Sequence, residues 1–185
     1  MSGTEKNFVD SCFAYTRETG LTYLNHSTGM SDLNLRDFNP RNKLDYEHWI
    51  CSITVNLDTA KIYIKSHFNS GTARMIAAAA AQKPEDEISD AFMMDYMKEY
   101  LNMVMGYIKS RYQSQDVNVS LPVISKGAPS PLDTGSPSDT YTDFWKITCG
   151  DHEIVMGSFV TLTGKAPKAA GEDVDDTEPG AIEFL

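Results

Sequence analysis

The sequence predicts an α+β domain in which helices pack on one antiparallel sheet. Residues 49–67 and residues 144–163 each contain two runs of alternating apolar and polar side chains around a turn, which is typical of a β-hairpin. Three other segments place apolar residues at helical spacing. The predicted order is helix, hairpin, helix, helix, strand and hairpin, which does not alternate strand with helix as a parallel sheet requires. The 185 residues are enough for one domain.

The beginning of the chain predicts one helix and a long connection. Thr4 can cap a helix over residues 5–18, which has an apolar face, and Gly20 can end it. Residues 21–47 are polar and irregular, and we expect only a short strand at Leu21–Leu24 there.

Two further helices are expected after the first hairpin. Asn69 or Ser70 caps a helix that runs through an alanine-rich segment and ends before Pro84. Pro84 begins the longest helix, because three acids follow it in the first turn, where the helix dipole favours negative charge. This helix is expected to extend to Tyr112.

The last part of the chain predicts strands, a loop and a tail. Residues 117–124 alternate as a strand, and the hairpin of residues 144–163 follows. Between them lies a Gly/Pro/Ser-rich segment that is longer than a hairpin requires, which indicates either a disordered insertion or a contact surface. We therefore expect a single domain over residues 1–163 with a loop insertion at residues 126–141. Residues 164–185 are rich in acids and are expected to form a disordered tail.

The charge of the chain argues against several partner classes. There are 16 basic and 26 acidic residues, so the net charge is −10 and the isoelectric point is about 4.7. Such a surface is a poor partner for nucleic acid or for an anionic membrane. No apolar run approaches the roughly 20 residues that span a bilayer. The N-terminal sequence MSGTEKNFVD lacks the basic and apolar regions of a signal peptide, so we expect a cytoplasmic protein of bacterial type.

The cysteines and histidines do not predict a metal site. Cys12, Cys51 and Cys149 are odd in number, far apart and match no metal-ligand spacing. The four histidines also stand alone in the sequence. We expect neither a metal ion nor a cofactor on this chain.

The long helix carries the pattern that indicates function. At 100° per residue, two stripes lie on roughly opposite faces. The apolar stripe, expected to face the core, consists of Met93, Met97, Leu101, Val104 and Ile108. The polar stripe consists of Asp95, Glu99, Asn102 and Gly106. Glu99 and Asn102 are neighbours one turn apart, so they project together. An ordinary solvated face is the alternative interpretation of this spacing, because exposed helix faces commonly carry such side chains.

One segment of this helix resembles the signature helix of the CheC/CheX family of bacterial chemotaxis phosphatases: Asp95-x-x-x-Glu99-x-x-Asn102-Met103-Val104-x-Gly106. In that family a Glu-x-x-Asn followed by a short apolar pair and a glycine recurs. The surrounding order is similar as well. Residues 49–66 resemble the family's strand pair, residues 69–82 resemble the helix after it, and residues 121–127 resemble its strand of a proline, an apolar pair and a glycine. The first helix carries no second Glu-x-x-Asn, so the chain resembles the single-site CheX type.

The resemblance implies a phosphatase that removes phosphate from the phosphoaspartate of a CheY-type receiver domain. Asn102 would position the attacking water, and Glu99 would pair with a receiver lysine. Asp95 and Gly106 would lie against the receiver, although Asp95 is alternatively a solvent-facing acid, and Gly106 would permit close approach of the partner or of a neighbouring element. A carboxylate of ordinary acidity is a poor general base at neutral pH, which suits Glu99 to the salt bridge. The Mg²⁺ needed for the reaction would be carried by the receiver.

Two other interpretations stay open at this point. The gap from Asn102 to Pro122 is shorter than is usual in the family, and the loop and tail resemble additions. The chain could therefore be a non-catalytic module that binds a receiver or a flagellar-switch component. It could also be an unrelated α+β domain whose Glu99 and Asn102 are merely solvated. Pro122 in a strand-like run indicates an edge strand, and by resemblance to CheX we expect a homodimer.

Overall fold

The computed structural model describes residues 2–44, 48–112, 116–127 and 139–167. Within these ranges, three α-helices cover one face of a seven-stranded antiparallel sheet, so the predicted fold class is confirmed. The helices are α1 (Gly3–Thr28), α2 (Ser70–Ala81) and α3 (Asp90–Arg111). The strands are β1 (Asn34–Asp37), β2 (His48–Leu57), β3 (Ala60–Phe68), β4 (Asn118–Val119), β5 (Val123–Gly127), β6 (Thr140–Cys149) and β7 (His152–Leu162).

The two predicted hairpins form the middle of the sheet. The order is β1-β6-β7-β3-β2, and the short strands β4 and β5 both pair with the outer side of β2. In the β2–β3 hairpin, Ile53 lies opposite Ile64 and Leu57 lies opposite Ala60 at the turn. Strands β3 and β7 join the two hairpins along their full length. Both hairpin predictions are therefore confirmed, although β6 begins four residues earlier than expected.

The first helix is longer than its sequence predicts. The stop expected at Gly20 is wrong, because α1 continues through this glycine to Thr28 and ends at Gly29, which has φ +70°. The N-cap is Ser2, whose side chain accepts from the Glu5 amide. A tertiary contact, and not the end of the helix, explains why residue 20 is a glycine. An ideal Cβ there would lie 2.8 Å from the Tyr100 hydroxyl oxygen of α3, so only glycine lets the two helices approach this closely.

Three boundary predictions are also corrected. The strand expected at Leu21–Leu24 is helical, and the strand of this region is β1. Helix α3 begins at Asp90 rather than at Pro84. Residues Glu85–Glu87 form a short 3₁₀ turn, Ile88 is extended and buried, and the Ser89 hydroxyl caps α3 by accepting from the Phe92 amide. The single strand expected at residues 117–124 is two short strands.

The segments expected to be an insertion and a tail lie mostly outside the described residues. Of the expected loop, residues 126–127 end β5 and residues 140–141 begin β6, while residues 128–138 are outside the described ranges. Of the expected tail, residues 168–185 are outside them.

The guanidinium of Arg17 joins α1 to the edge of the sheet that β1 and β6 form. Arg17 forms a two-point ion pair with Asp143 of β6, at 2.5 and 2.6 Å, and it also donates to Asp37 of β1 at 2.7 Å. Its guanidinium lies 5.4 Å from the ring centroid of Trp145. Two-point pairing of this kind fixes orientation as well as distance. It therefore sets the position of α1 relative to the sheet on which α3 also packs.

Replacing Gly20 by alanine is expected to lower the free energy of unfolding by about 1–3 kcal/mol, because the methyl group overlaps the buried Tyr100 hydroxyl. Chemical denaturation measures this loss. Gly3→Ala is the matched control, since a Cβ at Gly3 meets no atom within 4 Å. Tyr100→Phe should largely rescue Gly20→Ala, because it removes the oxygen that the methyl group would meet. An equal loss in both backgrounds would contradict the predicted contact.

The sheet face opposite the helices carries a second, smaller apolar cluster and a pair of histidines. Leu44, Phe144 and Val155 are buried there. His48 and His67 are also buried, with ring centroids 5.1 Å apart. Burial, together with the charges of His48 and Lys65, lowers the pKa of His67 to about 3. The folded protein therefore resists protonation of this ring.

We expect the stability of the protein to fall as the pH drops below about 6.5, the pKa of an unfolded histidine. At pH values between about 6.5 and about 3, His67 is protonated in the unfolded chain and neutral in the folded chain. The expected loss approaches about 1.4 kcal/mol per pH unit inside this window. Denaturant titrations at pH 7, 6 and 5 measure it. His67→Leu should flatten the dependence, and an unchanged slope in this variant would exclude His67 as its source.

Candidate functional site

Helix α3 contacts the sheet and both other helices and leaves one face exposed. It packs on β2 of the sheet and against both α1 and α2. Its inward side chains are buried: Met93, Met97, Tyr100, Leu101, Val104, Met105 and Ile108. The five residues predicted for the core stripe are all in this set, so that prediction is confirmed.

The predicted polar stripe is the outward face of α3. Asp95, Glu99 and Gly106 are exposed, and Asn102 is half-buried. The structure thus brings all four predicted site residues together on one accessible face of a rigid helix. Their roles stay predictions.

Glu99 and Asn102 contact each other directly. The Asn102 amide nitrogen Nδ2 donates to Glu99 Oε2 at 3.3 Å. This bond turns the carboxamide so that its carbonyl oxygen Oδ1 is the group left to accept from an incoming donor. The second carboxylate oxygen of Glu99, Oε1, takes no part in this hydrogen bond. The pair therefore offers an oriented acceptor and a negative charge side by side.

Asp95 is paired within its own helix. Lys98 Nζ lies 3.0 Å from Asp95 Oδ1, and the two side chains are 38% and 73% exposed. An exposed pair of this kind contributes about 0–1 kcal/mol, so a partner can break it at little cost. Lys98 was not among the predicted site residues, although its spacing of three from Asp95 is the signal that could have found it.

Gly106 is not required by the fold. An ideal Cβ at this position would meet no atom within 4 Å. Glycine in a helix interior costs about 1 kcal/mol relative to alanine. Within the described residues, no element of the chain itself approaches Gly106 closely enough to need the missing side chain.

The second half of α1 contributes a neighbour that the sequence analysis missed. Tyr23 packs on Tyr100 with ring centroids 6.1 Å apart. Burial and then the carboxylate of Glu99 raise the pKa of Tyr23. One turn further on, Ser27 shares a hydrogen bond with the Tyr96 hydroxyl at 2.8 Å. The sequence predicts Tyr23 in a short strand at Leu21–Leu24, after the expected end of the first helix, so its place beside the site did not follow from that prediction.

The N-terminal end of α3 is anchored by α2. Arg74 donates to the carbonyl of Ile88 and pairs with the carboxylate of Asp90. The buried Ile88 side chain and the Ser89 cap complete this anchor. These contacts fix where α3 begins, and hence the direction in which its outward residues project.

The described part of the chain offers no metal site, since no three His, Cys, Asp or Glu side chains there are grouped to hold an ion. In the same ranges, none of the helices combines the length and apolar character that crossing a membrane requires.

These features define a class of protein: an α+β domain that presents a hydrogen-bonded Glu/Asn pair on the exposed face of a helix. A family model described as "Chemotaxis phosphatase CheX" matches residues 50–141, which contain the whole of α3. The chain belongs to the CheC/CheX family. Comparison with the sequences of curated proteins gives no match.

Solved structures share the fold at low sequence identity. A chain in the CheX–CheY–BeF3–Mg²⁺ complex from Borrelia burgdorferi is 8% identical, with a TM-score of 0.63, and the match covers 80% of this chain and 97% of that one. CheX from Vibrio vulnificus is 16% identical, with a TM-score of 0.57 and coverages of 83% and 99%. FliY from Thermotoga maritima is 15% identical, with a TM-score of 0.51 and coverages of 88% and 91%.

Proposed function

We propose that this chain is a phosphatase that hydrolyses the phosphoaspartate of a CheY-type receiver domain. The observation that carries the proposal is the hydrogen-bonded Glu99–Asn102 pair on the outward face of α3, in a chain of the CheC/CheX family. The B. burgdorferi structure with the same fold is a complex of CheX with CheY, which supports a receiver as the partner.

The proposed chemistry requires little from the enzyme beyond position. A phosphoaspartate is an acyl phosphate with a good leaving group, so the main task is to hold water in line with phosphorus. Asn102 Oδ1 accepts a hydrogen bond from that water. The water oxygen forms the new bond to phosphorus and the bond to the receiver carboxylate breaks. The carboxylate and inorganic phosphate leave, and the proton of the water passes to the phosphate.

Glu99 has two tasks in this proposal. Its Oε2 accepts from Asn102 and keeps the carboxamide oriented. Its remaining acceptor capacity pairs with a lysine of the receiver and keeps the complex in register. Asp95 and Gly106 lie on the same face and contact the receiver, with Gly106 allowing its backbone to come near. Mg²⁺ is carried by the receiver, and this chain supplies no ligand to it.

Replacing Asn102 by alanine is expected to reduce the acceleration of phosphate release about tenfold or more, because the water loses its acceptor. The assay follows decay of a phosphorylated CheY-type receiver with Mg²⁺. Binding of the receiver should persist in the variant.

The matched control is Asn7→Ala, which removes an exposed asparagine from α1, near the N-terminal end of that helix. This variant should act as the wild type does. Full activity in Asn102→Ala would refute the assignment of the water-positioning role.

The second candidate function is a non-catalytic module that binds a receiver or a flagellar-switch component. The observation that favours it is the shared fold of FliY from T. maritima and of the FliM middle domain from H. pylori, the latter 10% identical with a TM-score of 0.52. The two functions differ in one measurement. The binding module holds the phosphorylated receiver without shortening its lifetime, whereas the phosphatase shortens it.

We also propose a homodimer that forms along the outer edge of β5. Among the described residues, this strand pairs with β2 on one side only, and Val123 is 62% exposed on it. An unpaired edge with an exposed apolar side chain is a template for pairing with another strand.

Val123→Lys should convert the dimer to a monomer, because a lysine on an edge strand opposes edge pairing. Light scattering after size-exclusion chromatography measures the mass. Val123→Thr, which retains the branched side chain, is the control and should stay dimeric. A monomeric wild-type protein would overturn this part of the proposal.

A further inference from the structure

Phe92 is an exposed aromatic side chain in the helix layer. It is 46% exposed, and the other large apolar side chains exposed within the described residues are Leu121 and Val123, at the edge of the sheet. A single exposed apolar side chain is common and needs no explanation by itself. The position of Phe92 relative to the candidate site is what distinguishes it.

Phe92 continues the outward stripe of α3 toward its N-terminus. It precedes Asp95 by three residues and Glu99 by seven, so it points within about 20° of Glu99 around the helix axis. At 1.5 Å per residue, it lies about 10 Å along the axis from Glu99 and about 15 Å from Asn102. A partner that covers Glu99 and Asn102 therefore extends over Phe92 if its contact follows the helix.

The Phe92 ring lies outside the apolar core of the helices and the sheet. The capping bond at this position uses the backbone amide, which donates to the Ser89 hydroxyl at 3.2 Å. The apolar packing at the start of α3 is supplied by Ile88 and Met93, which are 3% and 1% exposed. The described apolar core therefore does not include the ring at position 92.

Exposed acids outnumber exposed bases along the chain on both sides of Phe92. Glu85, Asp86 and Glu87 are exposed in the 3₁₀ turn before α3, and Asp95 follows Phe92 on the stripe. A complementary surface therefore has an apolar centre for the ring and cations around it. That charge matches the cation that the proposed function places opposite Glu99.

We propose that Phe92 is the apolar docking residue for the receiver domain, inserting into an apolar patch beside the phosphoaspartate site that carries basic side chains at its rim. This inference rests on the proposed function. Phe, Tyr and Trp side chains contribute much of the energy of interfaces because each buries a large apolar area. Because Phe92 is about 15 Å from Asn102 along the axis, it contributes to binding and not to the reacting atoms.

The experiment measures KM and kcat for phosphate release from the phosphorylated receiver, and Kd for the receiver by titration. It compares wild type, Phe92→Ser, Phe92→Leu and Asn102→Ala. Phe92→Ser should raise KM and Kd about tenfold or more and leave kcat within about twofold. Phe92→Leu keeps the apolar contact and should recover most of the affinity. Thermal unfolding and the solution mass of each variant establish that its fold and oligomeric state are those of the wild type.

Unchanged KM and Kd in Phe92→Ser would overturn the inference, while loss of turnover in Asn102→Ala would keep the proposed function intact. If Phe92→Ser changes the mass of the protein but not its affinity for the receiver, the ring contacts a second copy and the inference is wrong. If the wild type binds the receiver without accelerating phosphate release, the phosphatase proposal fails, and the Kd of Phe92→Ser alone decides whether Phe92 is the docking residue.

Discussion

The burial of one face of α3 is the constraint on which the candidate site depends. Seven side chains of this helix are buried against α1, α2 and the sheet. Each such burial is worth roughly 1.5–3 kcal/mol. Rotating the helix by one residue would exchange several of them for polar side chains and would cost on the order of 10 kcal/mol. The direction of Glu99 and Asn102 is therefore set by the core and not by contacts among the exposed residues, which are individually weak. The pair is thus fixed on an exposed face of the helix.

The contacts that position the neighbouring helices serve the same end. Gly20 lets α1 approach the buried Tyr100, and Arg17 ties α1 to the far edge of the sheet. Arg74 of α2 holds the carbonyl of Ile88 and the carboxylate of Asp90, which fixes the first turn of α3. The exposed face of α3 is thus rigid and carries a hydrogen-bond acceptor and a carboxylate. Within the described residues, no metal-binding group of side chains accompanies them. Such a face suits a reaction in which the partner brings the phosphoryl group and the metal.

The sequence predicts most accurately where one periodicity persists. The core and outward stripes of α3 agree with the structure because burial and 3.6-residue repetition act together over about four turns. Elsewhere the predicted element boundaries are wrong because tertiary contacts override the local sequence signals. In the local sequence Gly20 is a helix stop signal, but in the structure it lets α1 pack closely on α3. Because the sequence predicts that the helix ends there, the position of Tyr23 beside the site was not predicted. Strand β1 (Asn34–Asp37) was not predicted because its four residues are mostly exposed and polar. Its pairing with β6 also joins residues more than 100 positions apart. Pro84 starts a short turn and not α3, since Ile88 must be extended to reach the core.

Docking and turnover can be separated on this surface because a helix is a linear scaffold. The outward face of α3 spans Phe92 to Gly106, about 20 Å at 1.5 Å per residue, while in the proposed reaction the water needs only the carboxamide of Asn102. Side chains one to three turns away can add affinity without altering the geometry at phosphorus. A protein of this fold can therefore lose turnover at a single position and keep its partner. It can also keep the Glu/Asn pair and exchange partners by changing the residues toward the helix start. Under the proposed function, a phosphatase and a binding module of this fold therefore differ in the chemistry at Asn102 and not in the fold.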